Sequence, residues 1–104
     1  MKKDFTYYSD PQRIQKTVKT LASFTEADRP FTRLVFSPEF KQARQWLEFE
    51  FRKAGLDCHV DKGGNLIGLR QAVDDASEQK KVVIGSHIDT CLLYTSDAAD
   101  DDAC

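Results

Sequence analysis

No apolar run in this chain of 104 residues approaches the ~20 residues that a membrane-spanning helix needs. No membrane-spanning helix is therefore expected within it. Lys2 and Lys3 near the start are followed by no apolar stretch, so no secretory signal is visible. Cysteine is scarce: Cys91 and Cys104 fall in the last fourteen residues, which leaves Cys58 without a disulfide partner. A disulfide scaffold is thereby excluded, and a reducing, cytoplasmic setting is expected. Neither sign of charge dominates, since the formal net charge is −2. Such a balance gives no argument for a nucleic-acid partner or an anionic membrane. Fixed-period self-similarity is also missing, so this is not a repeat protein. What remains is 40% hydrophobic and 31% charged, the composition of a single soluble globular unit at the small end of the size range.

Charge is unevenly placed. All fifteen lysines and arginines lie in residues 1–90, which carry a net +2, and residues 91–104 bring the total to −2. The tail Cys91-Leu92-Leu93-Tyr94-Thr95-Ser96-Asp97-Ala98-Ala99-Asp100-Asp101 resembles the in-frame translation of a transposase adapter used in sequencing libraries. A short acidic terminus is the plain alternative. Residues 1–90 are accordingly expected to be the native portion and 91–104 a non-native tail, to be left out of fold reasoning.

Along residues 1–90, Ser9-Asp10-Pro11-Gln12 reads as a helix start, with Ser9 as N-cap, Gln12 closing a capping box and Pro11 in the first turn. Ile14, Val18, Leu21 and Ala22 follow at helical spacing and predict one buried stripe, fading near Phe24. Residues 25–36 form a long connection, of a length that compact domains keep only when it packs or has a role. Within it, Arg33 has the planar fork that binds carboxylates, although a structural or solvated arginine is the preferred reading. Ser37-Pro38-Glu39 opens a second helix with N-cap, Pro at N1 and an acid facing the dipole. Its apolar stripe is Phe40, Ala43, Leu47, Phe51 and Ala54, widened by Trp46, with Lys53 in the last turn and Gly55 as the stop. Cys58-His59-Val60 and Asn65-Leu66-Ile67-Gly68-Leu69 read as two short strands around the turn Asp61-Lys62-Gly63-Gly64. His59 beside this turn reads as exposed. Gln71 to Gln79 is loop-like, and Val82-Val83-Ile84 reads as a strand buried on both faces, as in a parallel sheet.

That last run ends in Gly85-Ser86-His87-Ile88-Asp89-Thr90. In open α/β sheets, ligands sit at the carboxyl ends of strands. Strand residues at i and i+2 point the same way, so His87 and Asp89 are expected to share one small volume. A neutral imidazole ligates zinc well, and a carboxylate on its second ring nitrogen fixes the tautomer. By itself this spacing reads first as a histidine hydrogen-bonded near a strand end. The metal reading rests on the rest of the chain.

Thr32-Arg33-Leu34-Val35-Phe36-Ser37-Pro38-Glu39, then Ala54-Gly55-Leu56, then Asp61…Gly64-Asn65-Leu66-Ile67-Gly68, then Gly85-Ser86-His87-Ile88-Asp89-Thr90 resemble, in order and spacing, the N-terminal segment of the metal-dependent N-carbamoyl-L-amino-acid amidohydrolases and allantoate amidohydrolases. These are a branch of the di-zinc aminopeptidase-like superfamily, with acetylornithine deacetylases and succinyl-diaminopimelate desuccinylases as relatives. The resemblance covers about residues 9–90. It implies an α/β fold of which this chain is a truncated part: two helices, a short hairpin and a buried strand. It further implies that His87 is a metal ligand and that Asp89 is the carboxylate supporting it in the catalytic centre. Two divalent ions are implied, zinc foremost, with manganese, cobalt or nickel also used. The implied substrate is a small carbamoyl or ureido compound (an N-carbamoyl-L-amino acid, allantoate or ureidopropionate), and the implied assembly is a homodimer. The family's bridging aspartate, glutamate pair and later histidines match no position here, so the truncated chain is expected to be inactive. Acidic residues 97 and 100–102 do not replace them.

Three other readings compete. One is a deacylase or peptidase of the same superfamily. Another is a non-catalytic interaction module presenting Tyr7, Tyr8 and Trp46, which explains neither the His-x-Asp pair nor the ordered blocks. The third, regulatory metal binding by His87 and His59 alone, fails because a structural zinc site wants four ligands.

Overall fold

A computed structural model describes residues 9–71 and 80–92 of the chain. Helix α1 spans Pro11–Ser23, helix α2 Pro38–Lys53, and strands β1 (Asp57–Val60) and β2 (Leu66–Leu69) pair antiparallel. The register runs from Asp57 opposite Leu69 to Val60 opposite Leu66. Two helices and a hairpin agree with the sequence reading.

Helix α1 starts one residue later than its capping-box reading requires. Asp10, not Ser9, is the N-cap: its backbone is extended and its carboxylate accepts from the Gln12 and Arg13 amides at 3.1 and 3.3 Å. A carboxylate there also faces the positive end of the helix dipole. Pro11 then takes N1 and Phe24 is the C-cap. The expected buried stripe is not formed. Ile14 and Val18 are 52% and 60% exposed, and α1 buries no residue. Its amphipathic pattern is present, but little among the described residues covers it.

Helix α2 follows its sequence signals closely. Ser37 Oγ accepts from the Phe40 amide at 3.2 Å, Pro38 occupies N1, Glu39 lies in the first turn, and Arg52 and Lys53 lie in the last. Gly55 at φ 89° supplies the left-handed residue that ends the helix. Phe40 and Ala43 are buried and form the apolar core, while Trp46, Leu47 and Phe51 are half-buried and Ala54 is exposed. This helix packs on both strands of the hairpin. Gly68 makes that approach possible, because a Cβ there would lie 2.8 Å from the Phe51 ring and 2.9 Å from Leu56.

The hairpin turn is held by one side chain. Asp61 Oδ1 accepts from the Gly63 and Asn65 amides, both at 2.9 Å, and Oδ2 accepts from the Asn65 side-chain amide at 3.0 Å. These bonds, the Asn65 side chain foremost, hold the Asp61 carboxyl below its ordinary pKa. Gly64 adopts φ 86°, and its carbonyl accepts from Arg44 Nη1 at 3.1 Å. The turn is thus bonded to α2 as well as to itself.

The connection between the helices packs rather than loops freely. Thr32 and Arg33 are the buried polar residues, at 2% and 6% exposure. Thr25 Oγ1 accepts from the Thr32 amide at 2.9 Å, and the Glu26 amide donates to the Thr32 carbonyl at 2.9 Å. Phe31 and Phe36 bracket this stretch with φ 54° and 65°, a region that bulky residues enter only when their surroundings impose it. Phe36 offsets part of that cost by an edge-to-face contact with Phe40, with ring centroids 5.9 Å apart.

The expected buried strand ending near Ser86 is overturned. Residues 80–89 form no strand, and Val82, Val83 and Ile84 are 89%, 88% and 92% exposed. A β-branched run is a strand only when it has neighbours to pair with and layers to cover it. Among the described residues it meets neither. The single ladder contact of this segment is an antiparallel bridge between Arg33 and Thr90. Tyr7, Tyr8, most of the loop from Gln71 to Gln79, and acidic residues 97 and 100–102 lie outside the described residues.

Candidate functional site

His87 and Asp89 lie between the exposed apolar run and the Arg33–Thr90 bridge, at the i, i+2 spacing that puts side chains on one side of an extended segment. His87 Nδ1 lies 2.9 Å from the Asp89 carbonyl oxygen and 3.2 Å from Asp89 Oδ1. Both Asp89 oxygens are acceptors, so in the neutral ring this contact selects the tautomer that donates from Nδ1. The lone pair is then on Nε2, which makes no hydrogen bond with the described residues. The imidazole side chain is 81% exposed and the Asp89 side chain 41%. Nδ1 against the Asp89 carbonyl and carboxylate with Nε2 unbonded is one arrangement that a metal-ligating histidine can use.

The donor set stops there. Among the described residues no three His, Cys, Asp or Glu side chains come together as a metal site. A catalytic zinc takes three protein ligands and a structural one four. The residues present therefore suit one ligand position and its supporting carboxylate, and do not complete a coordination sphere. His59 is exposed on β1, as the sequence reading has it, and joins no such group.

Arg33 anchors this segment. Its amide donates to the Thr90 carbonyl at 2.7 Å and its carbonyl accepts from the Thr90 amide at 3.0 Å. Its Nε donates to the Ile88 carbonyl at 2.8 Å, while Nη1 donates to the Leu21 and Phe24 carbonyls at 2.7 and 2.8 Å. Burial lowers its pKa from the ordinary arginine value and the Asp89 charge partly opposes this; the guanidinium stays protonated at any working pH. Of the two sequence readings of Arg33, anion-binding fork and structural residue, the geometry favours the structural one. Its Nε and Nη1 are both engaged by backbone carbonyls. The link across fifty-five residues to Ile88 has no local sequence signature; the hint was a Thr-Arg pair in a connection too long to be idle.

A cleft of about 310 Å³ between α1 and α2 is lined by Arg13, Lys16, Trp46, Glu50 and Lys53 among others. It contains neither His87 nor Asp89. No helix among the described residues is long and apolar enough to cross a membrane.

No family model matches the chain, and no solved structure matches it significantly. Curated proteins do. The chain is 34% identical over 79 residues, 76% of its length, to an N-carbamoyl-L-amino-acid amidohydrolase of Paenarthrobacter aurescens. It is 35% identical over 82 residues, 78% of its length, to the allantoate amidohydrolase of Escherichia coli, and 30% identical over 84 residues to a rice ureidoglycolate hydrolase. The chain spans about a fifth of the length of these relatives, 19%, 20% and 17% respectively. Over roughly four-fifths of its own length, then, the chain is a homologue of part of the amidohydrolases named for carbamoyl-amino acids and allantoate.

Proposed function

We propose that residues 1–90 are the N-terminal portion of the catalytic domain of a metal-dependent amidohydrolase that cleaves linear C–N bonds in carbamoyl or ureido compounds. The observation that carries this reading is the likeness to three hydrolases named for such compounds, over 79 to 84 residues each. The His87–Asp89 contact supports it, because it leaves a directed imidazole lone pair at an accessible point.

In this reading His87 Nε2 ligates one divalent ion, zinc foremost and otherwise manganese, cobalt or nickel, in a centre that holds two. Bound there, such ions would supply Lewis-acid chemistry, polarising a carbonyl and lowering the pKa of water. The chain's own part is more limited. Asp89 accepts the Nδ1 proton, fixes the tautomer and sets the plane of the ring. The remaining ligands and the general base come from elsewhere in a longer, cytoplasmic and dimeric enzyme, so the 104-residue chain by itself is inactive.

The test is made in the full-length parent protein. His87→Ala removes a direct metal bond, so both bound metal and turnover of N-carbamoyl-L-amino acids or allantoate should fall well beyond the ten- to hundredfold typical of changes one shell further out. Full metal content by mass spectrometry together with full turnover in that variant would refute the assignment.

A further inference from the structure

We propose that Arg33 is a positioning residue for the His87–Asp89 pair, tying it to the C-terminal end of α1. The inference deepens the proposed site and rests on that reading only in treating the pair as functional; the restraint itself stands on geometry. In extended backbone the carbonyls of residues i and i+2 point to the same side. Arg33 takes both carbonyls on one side of this segment, Ile88 through Nε and Thr90 through its backbone amide. The Asp89 carbonyl between them is thereby turned the other way, and there it meets His87 Nδ1 at 2.9 Å. One arginine thus sets which way the Asp89 peptide faces, and through it which nitrogen of His87 carries the proton.

The other end of the same side chain makes the restraint firm. Nη1 donates to the Leu21 and Phe24 carbonyls at 2.7 and 2.8 Å, the first of which also accepts from the Phe24 amide at 3.1 Å where α1 ends. The guanidinium is planar, so Nε and Nη1 cannot swing independently. Moving Ile88 away from its place therefore breaks bonds at α1 as well. Lys81 to His87, which lead into the pair, are exposed, and among the described residues Thr90 makes the sole ladder contact of this segment. Lysine cannot replace arginine here, because a single ammonium cannot span α1 and Ile88 in a fixed plane.

The experiment uses the ¹⁵N-labelled 104-residue chain at one fixed pH. In the unaltered chain the Arg33 Nε–H should exchange slowly with solvent, and the His87 ring nitrogens should show the Nδ1–H tautomer. An Arg33 Nε–H that exchanges like a free guanidinium overturns the proposal without any variant. In Arg33→Gln and Arg33→Lys, exchange of the Thr90 amide should rise by roughly tenfold, as expected for the loss of about one hydrogen bond's worth of protection. The His87 tautomer preference should collapse toward that of a free imidazole. Amides of the Asp61–Asn65 turn and of α2 should keep their protection. If His87 and Thr90 are unchanged in both variants, or if turn, helix and Thr90 all lose protection in equal measure in both, Arg33 is not a positioning residue. The metal reading is tested separately, by the metal content of His87→Ala in a longer parent protein, and the exchange and tautomer results decide the role of Arg33 whichever way that test falls.

Discussion

Residues 37–69 and residues 80–92 respond to the same physics in opposite ways. In the first, every local signal finds its partner within about thirty residues of chain. Ser37 caps α2, Gly55 stops it, Asp61 builds the turn, and Gly68 lets Phe51 and Leu56 settle on the hairpin. The second has a stronger strand signal than either hairpin strand, yet Val82 to Ile84 stay about nine-tenths exposed. Hydrophobic patterning proposes burial; only a neighbouring layer provides it. A hairpin carries its neighbour with it, whereas a run suited to a parallel sheet depends on strands distant in sequence.

The contrast can be broken at its core. Phe40 is 7% exposed and meets both Phe36 and Arg44, so Phe40→Ala should cost about 3–5 kcal/mol. Chemical denaturation of the α2–hairpin unit would show it; a loss below 1 kcal/mol would mean that this unit is no better packed than the segment it is compared with. A smaller effect is expected at Gly68. Alanine there places a methyl against Phe51 and Leu56, overpacking worth about 1–3 kcal/mol, and unchanged stability would show that α2 and the hairpin are not closely apposed.

The exposed segment should respond in function rather than in stability. If the proposed metal role of His87 holds, Asp89→Asn in a longer parent protein should reduce metal affinity or turnover by about ten- to a hundredfold, because it weakens an acceptor that orients His87 without removing His87 itself. Competition for metal and steady-state rates measure this, and an unaffected variant would separate Asp89 from the site.

Acid provides a gentler probe of the turn. The folded Asp61 carboxyl has a pKa below its ordinary value of 3.8, so ionised Asp61 favours the folded hairpin. This contribution is complete above the unfolded pKa and fades as pH falls through the lowered folded one. Protection of the Asn65 amide should therefore weaken only in strong acid, and Asp61→Asn should flatten that dependence. The smallest change is expected at Val83. Being 88% exposed, it should tolerate alanine within about 0.5 kcal/mol; a larger loss would show that the run is buried in solution after all.

Much of α2 and the hairpin was legible because capping, helix stops and turns are short-range chemistry. Serine or aspartate before a proline, glycine after a stripe, and Asp-x-Gly-Gly-Asn between apolar residues each act within a few bonds of themselves. Even the error at α1 was local, since Ser9 and Asp10 are both good N-caps and the carboxylate prevailed. The pairing of His87 with Asp89 was legible for the same reason: a spacing of two on extended backbone allows little else.

Arg33 belongs to the other kind. Its residue type admitted an anion site or a structural role, and its immediate neighbours in the chain do not distinguish them. Tertiary structure decided it, because the carbonyls that engage its Nε and Nη1 come from Leu21 and Phe24 where α1 ends and from Ile88, fifty-five positions away. The run at residues 82–84 was likewise beyond reach, for a strand is a relation between segments rather than a property of one. The sequence by itself determined caps, turns and which side chains share a side, since those energies act between neighbours in the chain. Only the tertiary structure decided what was buried and which way the Asp89 peptide faces, since those energies depend on groups that folding alone brings together.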